Sequence, residues 1–140
     1  MRDSQRPQEE TMLKSGINGL SQATVNAPAS ARAIGSGELD VLATPKLAAL
    51  VEEAAWRSVA AELDEGQSSV GTKLVLEHLA PTPLGMTVSC ATTLMAVEGR
   101  RLMFAFEAHD DAGLVARGTH ERVVVDAERF LAKAAGRADA

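Results

Sequence analysis

ATPKLAALVEEAAWRSVAAEL, residues 43–63, is the stretch that decides the fold, because it is the one long helical pattern in the chain. Thr44 followed by Pro45 is a helix start signal, since Thr is a common cap and Pro is favoured at the first helical position. Beyond it, apolar side chains recur at helical spacing over a broad arc. We expect the helix to end near Gly66.

Two adjacent glutamates of this helix have different predicted surroundings. At about 100° per residue, Glu53 falls on a polar stripe and pairs with Arg57 at i,i+4, whereas Glu52 falls within the apolar arc. A buried carboxylate is costly unless it is paired, protonated or beside a cavity. Glu52 is therefore either a functional carboxylate, or a residue at the edge of the arc that reaches water or pairs with a buried Arg across a dimer interface.

After the helix, apolar residues alternate with period two, which is typical of strands. Turn signals between the strands predict an antiparallel meander. The predicted elements are strands at 72–79, 86–97, 101–109 and 114–125, an earlier strand at 20–25, a loop at 27–40 and a helix from 126. This order predicts the α+β class. One helix covers only one face of such a sheet, so a homodimer is expected, with the choice between dimer and tetramer left open.

Length and composition favour one globular domain over residues 13–140, preceded by a tail at 1–12 with too few apolar residues to pack. The net charge is −5 and aromatic residues make up 3% of the 140 residues. Both values argue against nucleic-acid binding, which needs cationic surfaces and stacking side chains.

The single cysteine, Cys90, allows no intrachain disulfide and fits a cytoplasmic protein. The charged first residues lack the apolar run of a signal peptide. No stretch approaches the roughly 20 apolar residues that span a bilayer, so no membrane contact is expected.

Three side chains could together form a hydrolytic site. His78 shares a strand face with Leu74 and Leu76, which should look toward the helix, although a lone His there is more often a core residue. Thr44 is either a simple cap or a hydroxyl beside the positive helix end, where an oxyanion would be stabilised. With Glu52, they supply a hydroxyl, a carboxylate and an imidazole. No metal-binding spacing or cofactor motif is present in the sequence, so no metal or cofactor is expected.

The order and spacing of several blocks over roughly residues 20–130 resemble the fluoroacetyl-CoA thioesterase family of hotdog proteins. The resembling blocks are Ala43-Thr44 with Glu52, Gly71-Thr72 ahead of His78, Thr82-Pro83, VEGRRL at 97–102, AHD at 108–110 and GTHER at 118–122. The resemblance implies a hotdog fold, in which a curved antiparallel sheet wraps a long central helix. It also implies that Thr44, Glu52 and His78 are catalytic, and that the backbone of Gly71 helps to hold the thioester carbonyl.

One stretch departs from the family. Its fluorinated-substrate specialist carries phenylalanines in the lid before the catalytic Thr, whereas AIGSGEL at 33–39 has no aromatic residue. The sequence therefore predicts hydrolysis of a small acyl-CoA other than fluoroacetyl-CoA. His78 would act as general base, on water or on Thr44, and Glu52 as nucleophile or water-orienting base. Arg100 and Arg101 are candidates for contact with the phosphates of coenzyme A.

Two other functions remain open on the sequence alone. The first is a non-catalytic hotdog module that binds acyl-CoA or dimerises. The second is a hotdog hydratase, which would need a different arrangement of Asp and His that the sequence does not offer.

Overall fold

The computed structural model describes residues 13–139, so the tail predicted at 1–12 lies outside the described residues. The elements, labelled in chain order, are β1 (Asn18–Thr24), α1 (Ala31–Ile34), α2 (Thr44–Val59), β2 (Gln67–His78), β3 (Thr87–Glu98), β4 (Arg101–Asp110), β5 (Gly113–Asp126) and α3 (Ala127–Ala138). Within the described part of the chain, no helix is long and apolar enough to cross a membrane.

The strands form one antiparallel sheet in the order β1-β3-β4-β5-β2, and α2 packs across one face of it. Consecutive strands β3, β4 and β5 are neighbours because tight turns join them. Strand β2 comes earlier in the chain but pairs with β5, so it forms one edge of the sheet. The predicted α+β architecture is confirmed.

Helix α2 buries an apolar stripe against the sheet. The buried residues are Leu47, Leu50, Val51, Ala54, Ala55 and Val59. All of them except Ala54 belong, with side chains of β3, β4 and β5, to two apolar clusters. At about 0.8 kcal/mol per buried CH₂, this stripe is the main reason that the helix stays on the sheet.

The start and end of α2 differ from the predicted ones. Ala43, not Thr44, is the N-cap, and no side chain caps the helix. Thr44 is the first helical residue, which leaves its hydroxyl available to a different partner. At its other end the helix continues only to Val59, and a 3₁₀ turn at Ala60–Glu62 follows.

The predicted burial of Glu52 is wrong. Its side chain is 48% exposed, more than the 37% of Glu53. The buried stripe is narrower than the predicted arc, and Glu52 and Trp56 lie on a flank of α2 that other parts of the described chain leave partly uncovered. Glu52 approaches the edge strand β2, beyond which this sheet has no further strand.

The segment predicted as a loop at 27–40 contains two short helical turns. A 3₁₀ turn spans Ala27–Ala29, and α1 follows at once, with Ser30 Oγ accepting a hydrogen bond from the Ala33 N–H. Gly35 ends α1 at a φ of 88°, a value that glycine adopts without strain. Short side-chain bonds of this kind produce no long apolar period, so the sequence pattern did not reveal them.

Close packing at Gly118 of β5 gives a stability prediction. A Cβ there would collide with the backbone oxygen of Val75 and with the ring of Phe106. Because backbone cannot move aside cheaply, we expect Gly118→Ala to lower the free energy of unfolding by about 3 kcal/mol or more. Urea denaturation measures the change.

The matched control is Gly136→Ala in α3, where a Cβ would have nothing within 4 Å. Replacing a helical glycine there should raise the free energy of unfolding by about 0.5–1 kcal/mol. Equal effects of the two substitutions would contradict the packing described at Gly118.

Candidate active site

The hydroxyl of Thr44 and the imidazole of His78 are in direct contact. Thr44 Oγ1 lies 2.8 Å from His78 Nδ1. The contact joins the first residue of α2 to the last residue of β2, so it depends on the helix starting beside the end of the edge strand. When His78 carries its proton on Nε2, Nδ1 accepts the hydroxyl proton of Thr44, which is the arrangement that a general base requires.

The environment of His78 favours its neutral form. Burial lowers the pKa of His78, and the backbone of Ala80 opposes the shift. Among the residues that the structure describes, its Nε2 atom is buried without a hydrogen-bond partner. His78 is therefore in the unprotonated state that a general base needs near pH 7.

Glu52 lies beside a buried arginine of its own chain. Its Oε2 is 3.7 Å from Nη1 of Arg122, which is 5% exposed. Arg122 is held by Ser69, because its Nε donates to Ser69 Oγ (2.9 Å) and its Nη2 donates to the Ser69 carbonyl (2.8 Å). Burial lowers the pKa of Arg122 and the charge of Glu52 opposes this, but an arginine stays charged in proteins. The carboxylate therefore faces a fixed cation.

His120 completes this cluster. Its Nε2 lies 3.2 Å from Arg122 Nη1 and its Nδ1 lies 2.8 Å from the Lys73 carbonyl. Arginine can only donate, so Nε2 accepts and the Nδ1–H donates to the carbonyl. Burial lowers the pKa of His120, the charge of Arg122 lowers it further, and the Lys73 carbonyl opposes the shift. His120 is thus a neutral support for Arg122.

Gly71 is the point of closest approach between α2 and β2. A Cβ at this position would collide with the Glu52 carboxylate and lie 3.1 Å from His120 Cε1. Thr72 is an extra residue in β2, since Gly71 pairs with Arg122 and Lys73 with Glu121. This bulge places Gly71 on the same face of the strand as Leu74 and His78.

The predicted site residues form two groups within one chain. Thr44 and His78 are together at one end of the groove between α2 and β2, and Glu52 and Gly71 are together further along it. Eight residues separate Thr44 from Glu52 on the helix, which corresponds to about 12 Å along its axis. The chain therefore holds the predicted site residues as two separate pairs.

The two candidate phosphate-binding arginines have different surroundings. Arg101 is exposed and forms ion pairs with Glu98 (3.2 Å) and Glu121 (3.1 Å). Arg100 donates from Nη1 to the Val124 carbonyl (3.2 Å) and lines an open cleft beside α3. Only Arg100 therefore presents its charge to a cleft.

Sequence reasoning did not assign a role to Arg122 or His120. Both occur in the block GTHER, and their spacing of two places them on one face of β5. An arginine on the helix-facing side of a strand was the available signal. Its partner Ser69 could not be assigned without the register of β2 against β5.

Comparison with known proteins identifies relatives over most of the chain. A family model described as fluoroacetyl-CoA-specific thioesterase matches residues 25–128. A fluoroacetyl-CoA thioesterase from Streptantibioticus cattleyicolor is 43% identical over 94 residues, which are 67% of this chain and 68% of the relative.

Solved structures agree in fold. A point mutant of the fluoroacetyl-CoA thioesterase FlK in complex with acetyl-CoA is similar at a TM-score of 0.85 and 32% identity, covering 89% of this chain and 98% of that one. A hot-dog-like protein from Thermanaerovibrio acidaminovorans is similar at a TM-score of 0.80 and 27% identity, covering 88% and 91%. The hotdog fold implied by the sequence resemblance is confirmed.

The buried histidines predict how stability depends on pH. The pKa values of His78 and His120 are lowered in the folded state, so below the unfolded value of about 6.5 the unfolded chain binds more protons. We expect the free energy of unfolding to fall as the pH is lowered from 7.5 to 5.5. His120→Gln should reduce this fall, as measured by urea denaturation at the two pH values.

His109→Gln is the matched control, because the side chain of His109 is half exposed on β4. This variant should show the same fall as the wild type. A fall that is as large in His120→Gln as in the wild type would contradict the neutral, buried state described for His120.

Proposed function

The chain belongs to the fluoroacetyl-CoA-specific thioesterase family and is an acyl-CoA thioesterase, and we propose that it hydrolyses a small acyl-CoA with Thr44, Glu52 and His78. The observation that carries this assignment of residues is the contact of 2.8 Å between Thr44 Oγ1 and His78 Nδ1. A hydroxyl paired with a neutral imidazole is the usual way to activate an oxygen nucleophile.

In the proposed mechanism, His78 Nδ1 takes the proton of the Thr44 hydroxyl as Thr44 Oγ1 attacks the thioester carbonyl carbon. The C–S bond then breaks, and His78 gives this proton to the departing sulfur, so coenzyme A leaves as the free thiol and His78 is neutral again. Water, oriented by Glu52 and deprotonated by His78, hydrolyses the acyl-threonine to the free acid and restores the hydroxyl. Backbone N–H groups at the start of α2 and at Gly71 would stabilise the oxyanion.

A second copy of the chain would unite the two halves of this site. Strand β2 is an edge of the sheet, and Val75 on it and Leu79 directly after it are each 49% exposed. Trp56, on the adjoining flank of α2, is also exposed. An unpaired strand edge beside exposed apolar side chains is typical of a surface that pairs with another chain.

We therefore propose a homodimer formed by antiparallel pairing of β2 with the partner's β2. A two-fold axis midway between Gly71 and His78 brings the partner's Gly71 opposite His78, and the partner's Glu52 toward Thr44. Each dimer would then contain two complete sites. Pairing of dimers into tetramers is compatible with this arrangement.

The lid before Thr44 supports an acyl group other than fluoroacetyl. It presents the aliphatic side chains of Ile34 and Leu39, both exposed, and bends at Gly35. Aliphatic side chains can cover a small acyl chain by apolar contact, without an aromatic ring.

We also propose a cytoplasmic location, where thiols stay reduced. The single cysteine, Cys90, is compatible with this location: burial raises the pKa of its thiol to about 12, which keeps it protonated and unreactive.

Release of free thiol from a panel of short acyl-CoAs tests the proposed chemistry. We expect His78→Ala and Thr44→Val to lower kcat by about 10²–10⁴-fold, the usual contribution of a general base and its partner. Glu52→Gln should also lower kcat, whereas Glu53→Gln, one residue away on α2, should retain wild-type activity. A wild type that binds acyl-CoA without releasing thiol would instead indicate a binding module.

Mixing two inactive variants tests the shared site. His78→Ala and Glu52→Gln each damage a different half, so a mixed dimer contains one intact site. After subunit exchange, we expect about a quarter of wild-type activity, because half of the dimers are mixed and each holds one complete site. No recovery in a mixture whose exchange is verified by mass spectrometry would show that each site belongs to a single chain.

A further inference from the structure

A positively charged cleft lies beside α3, at the turn between β3 and β4. It has a volume of about 580 Å³, and its charged lining residues are Arg100, Arg129, Lys133 and Asp126. Three cations thus face one carboxylate, in a chain whose net charge is −5. Asp126 is already engaged, because its Oδ1 accepts the backbone N–H of Arg129 at 3.3 Å and caps α3.

The cationic groups of this cleft are arranged on two sides. Arg129 and Lys133 are four residues apart on α3, so their side chains emerge from one face of the helix. Arg100 comes from the facing turn, where the bond to the Val124 carbonyl orients its guanidinium. Within residues 13–139, none of the three forms an ion pair with a carboxylate, in contrast to Arg101. No carboxylate of the described residues therefore neutralises their charge.

An aromatic ring completes the cleft. Phe130 lines it beside Lys133 and is 40% exposed. An exposed aromatic ring next to cations provides a stacking surface for a nucleobase whose phosphates the cations bind.

We propose that this cleft binds the phosphorylated nucleotide end of coenzyme A. The inference rests on the proposed function and extends it, because an acyl-CoA carries a diphosphate and a ribose 3′-phosphate far from its thioester. Arginine and lysine side chains are the usual ligands of such groups. Of the two arginines that the sequence suggested, Arg100 is assigned to this role and Arg101 is not.

The position of the cleft agrees with this role. Val124, which lines it, pairs with Ser69, two residues before Gly71 on β2. The cleft is therefore close to the Glu52 and Gly71 half of the groove, which in the proposed dimer meets the partner's Thr44 and His78. The pantetheine arm would run from the thioester at that junction to the phosphates beside α3.

The outer face of the sheet offers a comparable cleft of about 500 Å³, but its charges do not fit the same ligand. Glu77, Glu107 and Arg117 line it, and Arg117 is paired with Glu77 at 3.2 Å. This lining carries net negative charge and would repel phosphates.

The test compares the kcat and KM of the double variant Arg129→Ala/Lys133→Ala with those of the wild type on two substrates. For a short acyl-CoA, we expect KM to rise about tenfold or more with kcat unchanged, because the phosphates are remote from the reacting bond. For the matching N-acetylcysteamine thioester, which has no nucleotide, both constants should be unchanged. Calorimetry should show the same loss of affinity for coenzyme A itself.

The matched control is Lys14→Ala/Arg137→Ala, which removes two exposed cations outside the cleft and changes the net charge equally. The inference is overturned if both double variants bind coenzyme A alike, or if turnover of the N-acetylcysteamine thioester falls together with that of acyl-CoA. Binding of 3′-dephospho-coenzyme A shows which phosphate the cleft contacts. If the Arg129→Ala/Lys133→Ala variant binds this ligand as tightly as the wild type does, the contact is with the 3′-phosphate; if it binds more weakly, the contact is with the diphosphate. Both outcomes support the cleft.

The calorimetry also separates this inference from the proposed function. If coenzyme A binding depends on Arg129 and Lys133 but no acyl-CoA releases thiol, the cleft is correct and the hydrolysis is not. If acyl-CoA is hydrolysed while the affinity for coenzyme A does not depend on Arg129 and Lys133, the proposed hydrolysis is supported and the assignment of the cleft is wrong.

Discussion

One helix of 16 residues has to cover a five-stranded sheet, and this constraint determines where everything else lies. The buried stripe of α2 packs on one face of the sheet and lies closest to β1 and β3, so the flank that carries Glu52 and Trp56 is left toward the edge strand β2. The polar side chains proposed for chemistry all lie along the groove between α2 and β2. This groove can hold a hydroxyl, an imidazole and a carboxylate without burying them fully, whereas the buried face of the helix would remove them from water at a cost in free energy.

The burial of Arg122 costs free energy. Removing a guanidinium from water is unfavourable unless donors and charge are compensated, and here Ser69, His120 and Glu52 all contribute to that compensation. The same contacts tie β5 to β2 and direct a cation at Glu52. The lack of a side chain at Gly71 is what allows the carboxylate to come this close. The packing and the proposed chemistry therefore involve the same few atoms.

Much of the fold could be predicted from the sequence, because periods of 3.6 and 2 report directly on the core. Helix α2, the four strands after it and the helix-facing side of His78 all follow from such periods. A helical projection contains no information on which flank adjoins an edge strand, so it placed Glu52 in the core. It also contains no information on partners, so it left open whether Thr44 caps the helix or uses its hydroxyl elsewhere, and the structure shows a contact with His78. The Ser69–Arg122 contact depends on strand register, which Thr72 shifts by one residue.

The extra residue at Thr72 also bears on how such a site could be lost in evolution. If Thr72 took a regular place in the ladder instead of forming the bulge, alternation along β2 would turn Ser69 and Gly71 to the outer face, while Leu74, Leu76 and His78 kept their places against α2. A one-residue shift in the pairing of the first part of β2 would thus separate the Arg122 cluster from β2 and leave most of the apolar core in register. A descendant of this chain could keep the fold and its Thr44–His78 pair while losing the support for Glu52, which makes this bulge a position where hydrolases and mere binding proteins of one lineage could diverge.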